Sequence, residues 1–196
     1  GADAVRLFIL SDSPPEKDVQ WSEHGMIASY KFIQKFWALH KKILQNLPLL
    51  EKKKTLLFNE GIEEFTNQVL NKINLSLNKF SYNVIIANLH EIYNFFNKTL
   101  GKDIESKNLI DNYVKILTVM IPITPHLASE CLKEISNTKI YTWPKINNKY
   151  LNNKIFDIVV QINGKKRGLI STKKSYEEEN LIKEIKQTKE LNKFLI

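Results

Sequence analysis

Three lysines, Lys31, Lys35 and Lys42, recur at separations of four and seven residues, which on a helix sets them along one face. A row of cations at that spacing can meet successive phosphates of a polyanion. A solvated helix face has the same pattern, and spacing alone does not separate the two. A denser group follows near the end of the chain, in the run Asn163-Gly164-Lys165-Lys166-Arg167. Asn-Gly is the strongest short hairpin signal, since both residues tolerate positive φ. Three cations would then stand on a tight projection, with the N–H groups of the turn nearby to receive a phosphate. A charged turn that serves only solubility is the alternative. The triplet Lys52-Lys53-Lys54 is less specific and reads as solvated.

Residues suited to bond-making chemistry are scattered. His24, His40, His90 and His126 form no HExxH or other metal-ligand spacing, and GxSxG, Walker-type and GxGxxG motifs are missing. Cys131 falls on a predicted helix, where a lone cysteine is a small core residue. It can form no internal disulfide and no multi-cysteine zinc site, which fits a reducing cytoplasm. His126, just after Pro125 at a helix start, is given a structural role. Glu63-Glu64 and Glu177-Glu178-Glu179 read as solvated helix surface. No catalytic, cofactor-binding or metal-binding residue is therefore assigned. No apolar run approaches the ~18 residues that span a bilayer, and no signal peptide is evident.

Charge repeats the hint given by the lysines. The 196 residues carry a net +8, with 43% hydrophobic and 26% charged residues, the balance of a soluble globular protein. Residues 1–136 hold 16 Lys and Arg against 15 Asp and Glu, whereas residues 137–196 hold 13 against 6. A basic segment of this kind suits RNA. A genome-wide bias toward Lys, Asn and Ile would also produce a basic chain, but the segregation favours RNA.

The elements that must carry these residues follow from periodicity. Val5, Phe8 and Ile9 share a face of a short helix over residues 1–10, which Pro14 and Pro15 break. Ser22 then caps a long helix whose stripe is Ile27, Phe32, Ile33, Phe36, Leu39 and Ile43, and which Pro48 ends. A second long helix is expected from about Lys52 to Asn78, with Phe58, Ile62, Phe65, Val69, Ile73 and Leu77 buried. Ser81 is placed as the cap of a third, with Val84, Ile85, Leu89, Ile92 and Phe96 inward, ending near Gly101. A fourth spans about Ser106 to Ile121, and a short helix runs from Pro125 to about Ile135. Long amphipathic helices joined by short connections pack antiparallel, as a bundle. Residues 137–153, Asn- and Lys-rich and holding Trp143-Pro144, read as a linker packed against something. Phe156–Ile162 is a β-branched strand, Lys166–Ser171 its returning partner, and residues 176–188 a charged helix. One hairpin and one helix make a thin core, since three or more strands are usual for independent stability. The small domain is therefore expected to be incomplete.

The order of motifs carries a resemblance. GADAVRLFIL is similar to the segment after the KMSKS loop of class I aminoacyl-tRNA synthetases, and ITPHLASE resembles their "TPHLAEE" motif. Ser13-Pro14-Pro15-Glu16-Lys17-Asp18-Val19-Gln20-Trp21-Ser22 resembles the "SPPEKDLEWS" of bacterial leucyl-tRNA synthetases. GMIASYKFIQKFW stands in the place of their "GVEGAYRFLNRVW", and VVQINGKKRG resembles their "VQVNGKxRG". These matches span most of the chain. The resemblance implies a helical bundle of anticodon-binding-domain type (1–136), a linker (137–153) and a small C-terminal α/β domain (154–196). It implies that leucine tRNA is held along the inner side of the L and at the elbow. Lys31 and Lys35 stand where the family has basic residues, and Asn163, Gly164, Lys165 and Arg167 match the C-terminal motif. Lys31 replaces an Arg, which turns a bidentate phosphate contact into a point charge. By the same resemblance the ATP- and Mg-dependent leucylation, the HIGH and KMSKS motifs and the editing domain belong to other parts of a cytoplasmic, monomeric polypeptide. This stretch alone would be inactive, with no cofactor of its own. The alternatives are the matching region of a valyl, isoleucyl or methionyl enzyme, or a helical protein–protein interaction module.

Overall fold

The computed structural model describes residues 1–12, 16–51, 58–100, 104–135, 142–151, 156–162 and 165–172. It comprises two compact units, Gly1–Tyr150 and Leu151–Ile196. The first contains α1 (Ala2–Asp12), α2 (Glu23–Glu51), α3 (Glu60–Asn78), α4 (Tyr82–Thr99), α5 (Ser106–Met120), α6 (Pro125–Ile135) and a 3-10 turn at Asn148–Tyr150. The mainly helical fold expected from the periodicities is the one observed.

Local sequence explains most of the helix starts. Ser22 Oγ accepts from the Gly25 N–H at 3.2 Å and opens α2. Asn59, which periodicity did not single out, opens α3: its Oδ1 accepts from the Ile62 N–H at 3.1 Å, with Glu60 and Glu63 in the first turn. The helix therefore starts at Glu60 and not near Lys52, and Phe58, expected in the buried stripe, is exposed ahead of the cap. Residues 52–57 lie outside the described residues. Ser81 holds the cap position of α4, but its side chain makes no capping bond.

Pro48 does not end α2; the helix continues to Glu51 with Pro48 inside it. Proline removes one N–H from the ladder, yet Leu50 is buried in the core two residues later. Tertiary packing thus holds the last turn against the local penalty. Burial also differs from the expected stripes at their edges. Val5, Ile9, Ile27 and Val84 are exposed, while Ala4, Leu7 and Phe8 form the inward face of α1. Four to five apolar positions on one helix face exceed the arc its neighbours cover, so the flanking ones stay in solvent.

The core joins all six helices through Leu7, Phe36, Ile43, Ile73, Leu89, Phe96, Tyr113, Met120 and Leu132. Rings interleave at its centre: Tyr113 stacks on Phe36 at 6.4 Å and meets Phe96 at 5.4 Å. Gly25 is required where α2 crosses α1, because a Cβ there would lie 2.6 Å from the Phe8 ring. Trp21 closes over the same ring edge-on at 5.3 Å.

Polar ties fix the register between helices. The Asp3 carboxylate of α1 accepts from the Leu127 N–H at 2.7 Å and the His126 N–H at 3.4 Å, capping α6 from another helix. It also accepts from His126 Nδ1 at 2.8 Å. One turn on, Arg6 donates to the carbonyls of Pro122 and Ile123 at 2.6 and 3.1 Å, in the connection between α5 and α6. Glu63, expected as solvated surface, is only 15% exposed at its side chain. It accepts from Asn108 and Asn112 Nδ2 at 3.0 and 2.6 Å and pairs with Lys115 at 3.5 Å, tying the first turns of α3 and α5.

Residues 142–150 run along α3. Trp143 Nε1 donates to Asn74 at 2.9 Å, the Asn147 N–H to Asn67 Oδ1 at 2.7 Å, and Lys149 pairs with Glu60 at 3.1 Å. In the second unit, β1 (Phe156–Ile162) pairs antiparallel with β2 (Lys165–Thr172). The helix expected over 176–188, and with it the completeness of the small domain, lies outside the described residues.

The turn between α3 and α4 carries local strain. Phe80 sits at φ 53, the left-handed position where a helix end favours glycine. Its N–H donates to the Leu77 carbonyl at 3.1 Å and that of Ser81 to Ser76 at 2.8 Å, a Schellman closure. The side chain is 60% exposed, so its packing returns little. Phe80→Gly should raise the unfolding free energy by about 1 kcal/mol, read as a higher urea midpoint at unchanged slope. Asp3→Ala should lower it by about 2 kcal/mol in the same measurement, since it strips the α6 cap and leaves buried N–H groups unpaired.

Candidate nucleic-acid interface

Helix α2 carries two kinds of cation. Lys41 is structural: its Nζ meets both oxygens of Glu134 on α6 at 2.5 and 2.7 Å and lies 4.4 Å from the Trp37 ring centroid. Lys31, Lys35 and Lys42 are exposed, and among the described residues none of them is in an ion pair. A 29-residue helix holds their spacing rigid, and Phe32, Phe36, Leu39 and Ile43 anchor the adjoining face in the core. Such a row presents positive charge with little local compensation.

His90 on α4 joins that face, although its position in the sequence gave no sign of it. Its ring lies 4.5 Å from that of Phe32, and it is exposed. Partial burial and the nearby charge of Lys35 both lower its pKa. Only the packing of α4 on α2 brings the two together.

Behind this face lies a buried polar group. His40 is fully buried, with Nε2 at 3.0 Å from Glu134 Oε2 and Nδ1 at 3.3 Å from the Tyr113 hydroxyl. An ionised carboxylate only accepts, so Nε2 carries the proton and Nδ1 accepts from Tyr113. Burial holds Tyr113 protonated, well above its usual range, consistent with that role. Cys131 is wholly buried, and burial pushes its thiol up to about 12, the opposite of what a nucleophile needs.

The C-terminal candidates lie on and around the β-hairpin. Lys165, Lys166 and Arg167 open β2, and pairing of Ile162 with Lys165 leaves two residues for the connection. Asn163 and Gly164 themselves lie outside the described residues. Gln161 pairs with Lys166 and Val160 with Gly168, so Arg167 is the extra residue of a β-bulge. A bulge resets the alternation of a strand within its basic run. Among the described residues, no group of three or more His, Cys, Asp or Glu is placed to hold a metal ion, and no helix is long and apolar enough to cross a membrane.

Comparison with known proteins sets this geometry in a family. A model described as the anticodon-binding domain of tRNA ligase matches residues 59–183. The chain belongs to this family. It is 34% identical over 196 residues to the leucine–tRNA ligase of Bartonella tribocorum, covering 94% of this chain and 22% of that protein. The leucine–tRNA ligase of Methylocella silvestris is 32% identical over 182 residues, covering 86% of this chain and 21% of that one. The chain thus spans about a fifth of the length of the curated relatives it matches. Among solved structures, a LeuRS of Agrobacterium radiobacter K84, in a ternary complex titled LeuRS–tRNA–LeuAMS, aligns with a TM-score of 0.76. That match covers 100% of this chain and 26% of the other at 20% identity, and it supports the fold.

His40 gives the bundle a defined pH response. Burial is the main cause that holds its pKa below the ordinary 6.5, so the folded state favours the neutral ring. The associated stability is present above 6.5 and is lost as pH falls through that value toward the lowered one. Glu134 titrates below this window, its pKa lowered from 4.5 chiefly by Lys41. The urea midpoint should therefore fall between pH 7.5 and 5.5. His40→Gln should flatten that fall, leaving the share that His90 contributes in the same direction.

Proposed function

We propose that this chain is a tRNA-binding part of a leucine–tRNA ligase, gripping leucine tRNA along the inner side of the L and at its elbow. The observation that carries this most is alignment of leucine–tRNA ligases along nearly the whole chain, joined to a domain family defined by tRNA ligases. The outward row of Lys31, Lys35 and Lys42 supplies one contact surface. Asn163, Gly164, Lys165, Lys166 and Arg167 supply a second, on the hairpin. The proposed division is a bundle over 1–136, a connection over 137–153 in which Trp143, Asn147 and Lys149 bond to α3, and a C-terminal domain over 154–196.

Contacts of this kind go to phosphates and to shape, which position a nucleic acid without reading its bases. The reaction itself, activation of leucine with ATP and Mg and transfer to tRNA, is assigned to the catalytic domain of the same polypeptide, with an editing domain alongside. This chain contributes binding energy and orientation, and has no leucylation activity alone. The whole enzyme is proposed to act as a cytoplasmic monomer.

A salt-titrated gel shift with a leucine tRNA transcript tests this. Affinity should fall steeply with salt, and Lys31→Ala with Lys35→Ala should reduce the log–log slope by about 2. Lys165→Ala with Arg167→Ala should weaken binding independently, by a similar change in slope. Binding that ignores salt and both double variants would overturn the assignment in favour of a protein-interaction module.

A further inference from the structure

We propose that His90 of α4 and Lys35 of α2 together seat one backbone phosphate of the RNA, so that binding takes up a proton at His90. The inference deepens the α2 surface proposed above and rests on it. Two helices are needed to build the seat. Phe32 lies one turn before Lys35 on α2, and its ring supports the His90 imidazole at 4.5 Å with an interplanar angle of 55°. Lys35 and His90 are both exposed, so an anion reaches them without rearrangement of the core.

The charges around His90 favour an anion. From α2, Lys35 bears on it with a charge that disfavours the imidazolium. On α4 itself the next residue, Glu91, is paired with Lys72 of α3 at 3.1 Å. From α1, which also packs on α4, Asp3 is committed to α6 and Arg6 to the carbonyls of Pro122 and Ile123. Among the described residues, no carboxylate charge offsets that of Lys35 at His90. A lysine held beside an imidazole in this way favours the neutral ring until an anion bridges the two. A phosphodiester between them would accept from the Lys35 ammonium and an imidazole N–H, and would favour the protonated ring. Histidine is the side chain that makes this change between pH 5 and 8.

The test uses the whole chain and a leucine tRNA transcript at fixed ionic strength, with affinity measured at pH 7.5 and 6.0. The wild-type chain should bind roughly 3- to 10-fold tighter at pH 6.0, within the ceiling of about 30-fold that uptake of one proton sets over this interval. His90→Gln should lose that pH dependence, and Lys35→Ala should weaken binding at both pH values. As a second readout, the His90 imidazole resonances should titrate at higher pH when RNA is added. Salt-dependent binding with the same pH dependence in His90→Gln, or with an unmoved His90 titration, would overturn the phosphate seat alone. Absence of salt-dependent binding at either pH would overturn both the seat and the surface on which it rests.

Discussion

The bundle is organised around the carboxylate of Asp3. Its two oxygens take the first N–H groups of α6 and one ring nitrogen of His126, and Arg6, one turn later, takes two carbonyls of the connection from α5 to α6. A helix terminus that turns within four residues leaves donors and acceptors that its own backbone cannot satisfy. Here α1 supplies both the anion and the cation, so the hydrogen bonding of the α5–α6 corner is completed by α1. That docking sets Phe8 under Gly25 and Trp21, and so sets where α2 starts. The direction of the outward lysine row descends from this corner.

Other buried polar groups lock the remaining helices in rotation and register. Glu63 bridges α3 to α5, while His40 joins α2 to α5 through Tyr113 and to α6 through Glu134. Apolar packing tolerates small slips, but a buried carboxylate or imidazole displaced from its partners loses charged hydrogen bonds worth about 1.5–3 kcal/mol each. These ties make α2 a rigid ruler. Lys41 is used internally, and the remaining cations of the helix keep their spacing toward solvent.

Much of the fold was legible beforehand because its signals are local. The 3.6-residue stripe of α4, the extents of α5 and α6 set by Pro122 and Pro125, the Ser22 cap and the strand Phe156–Ile162 all follow from side chains a few residues apart. Pro48 does not break α2, because its breaking tendency is a local penalty, outweighed by burial of Leu50 in the core. Glu63 reads as surface in the sequence because nothing within its own helix reveals that Asn108 and Asn112 will face it. The same limit hid Asp3, whose partners lie more than 120 residues away.

For the candidate interface the division is similar. Sequence alone determined that Lys31, Lys35 and Lys42 share a helix face, since that is a matter of period, and that a two-residue connection joins two strands beside a basic run. Tertiary structure decided which cation of α2 was withdrawn by Glu134, and that His90 stands beside Lys35. It also decided that Arg167 is the extra residue of a bulge. Periodicity fixes angles within one element, whereas charge compensation and register depend on which elements meet, and that is settled by packing across the core.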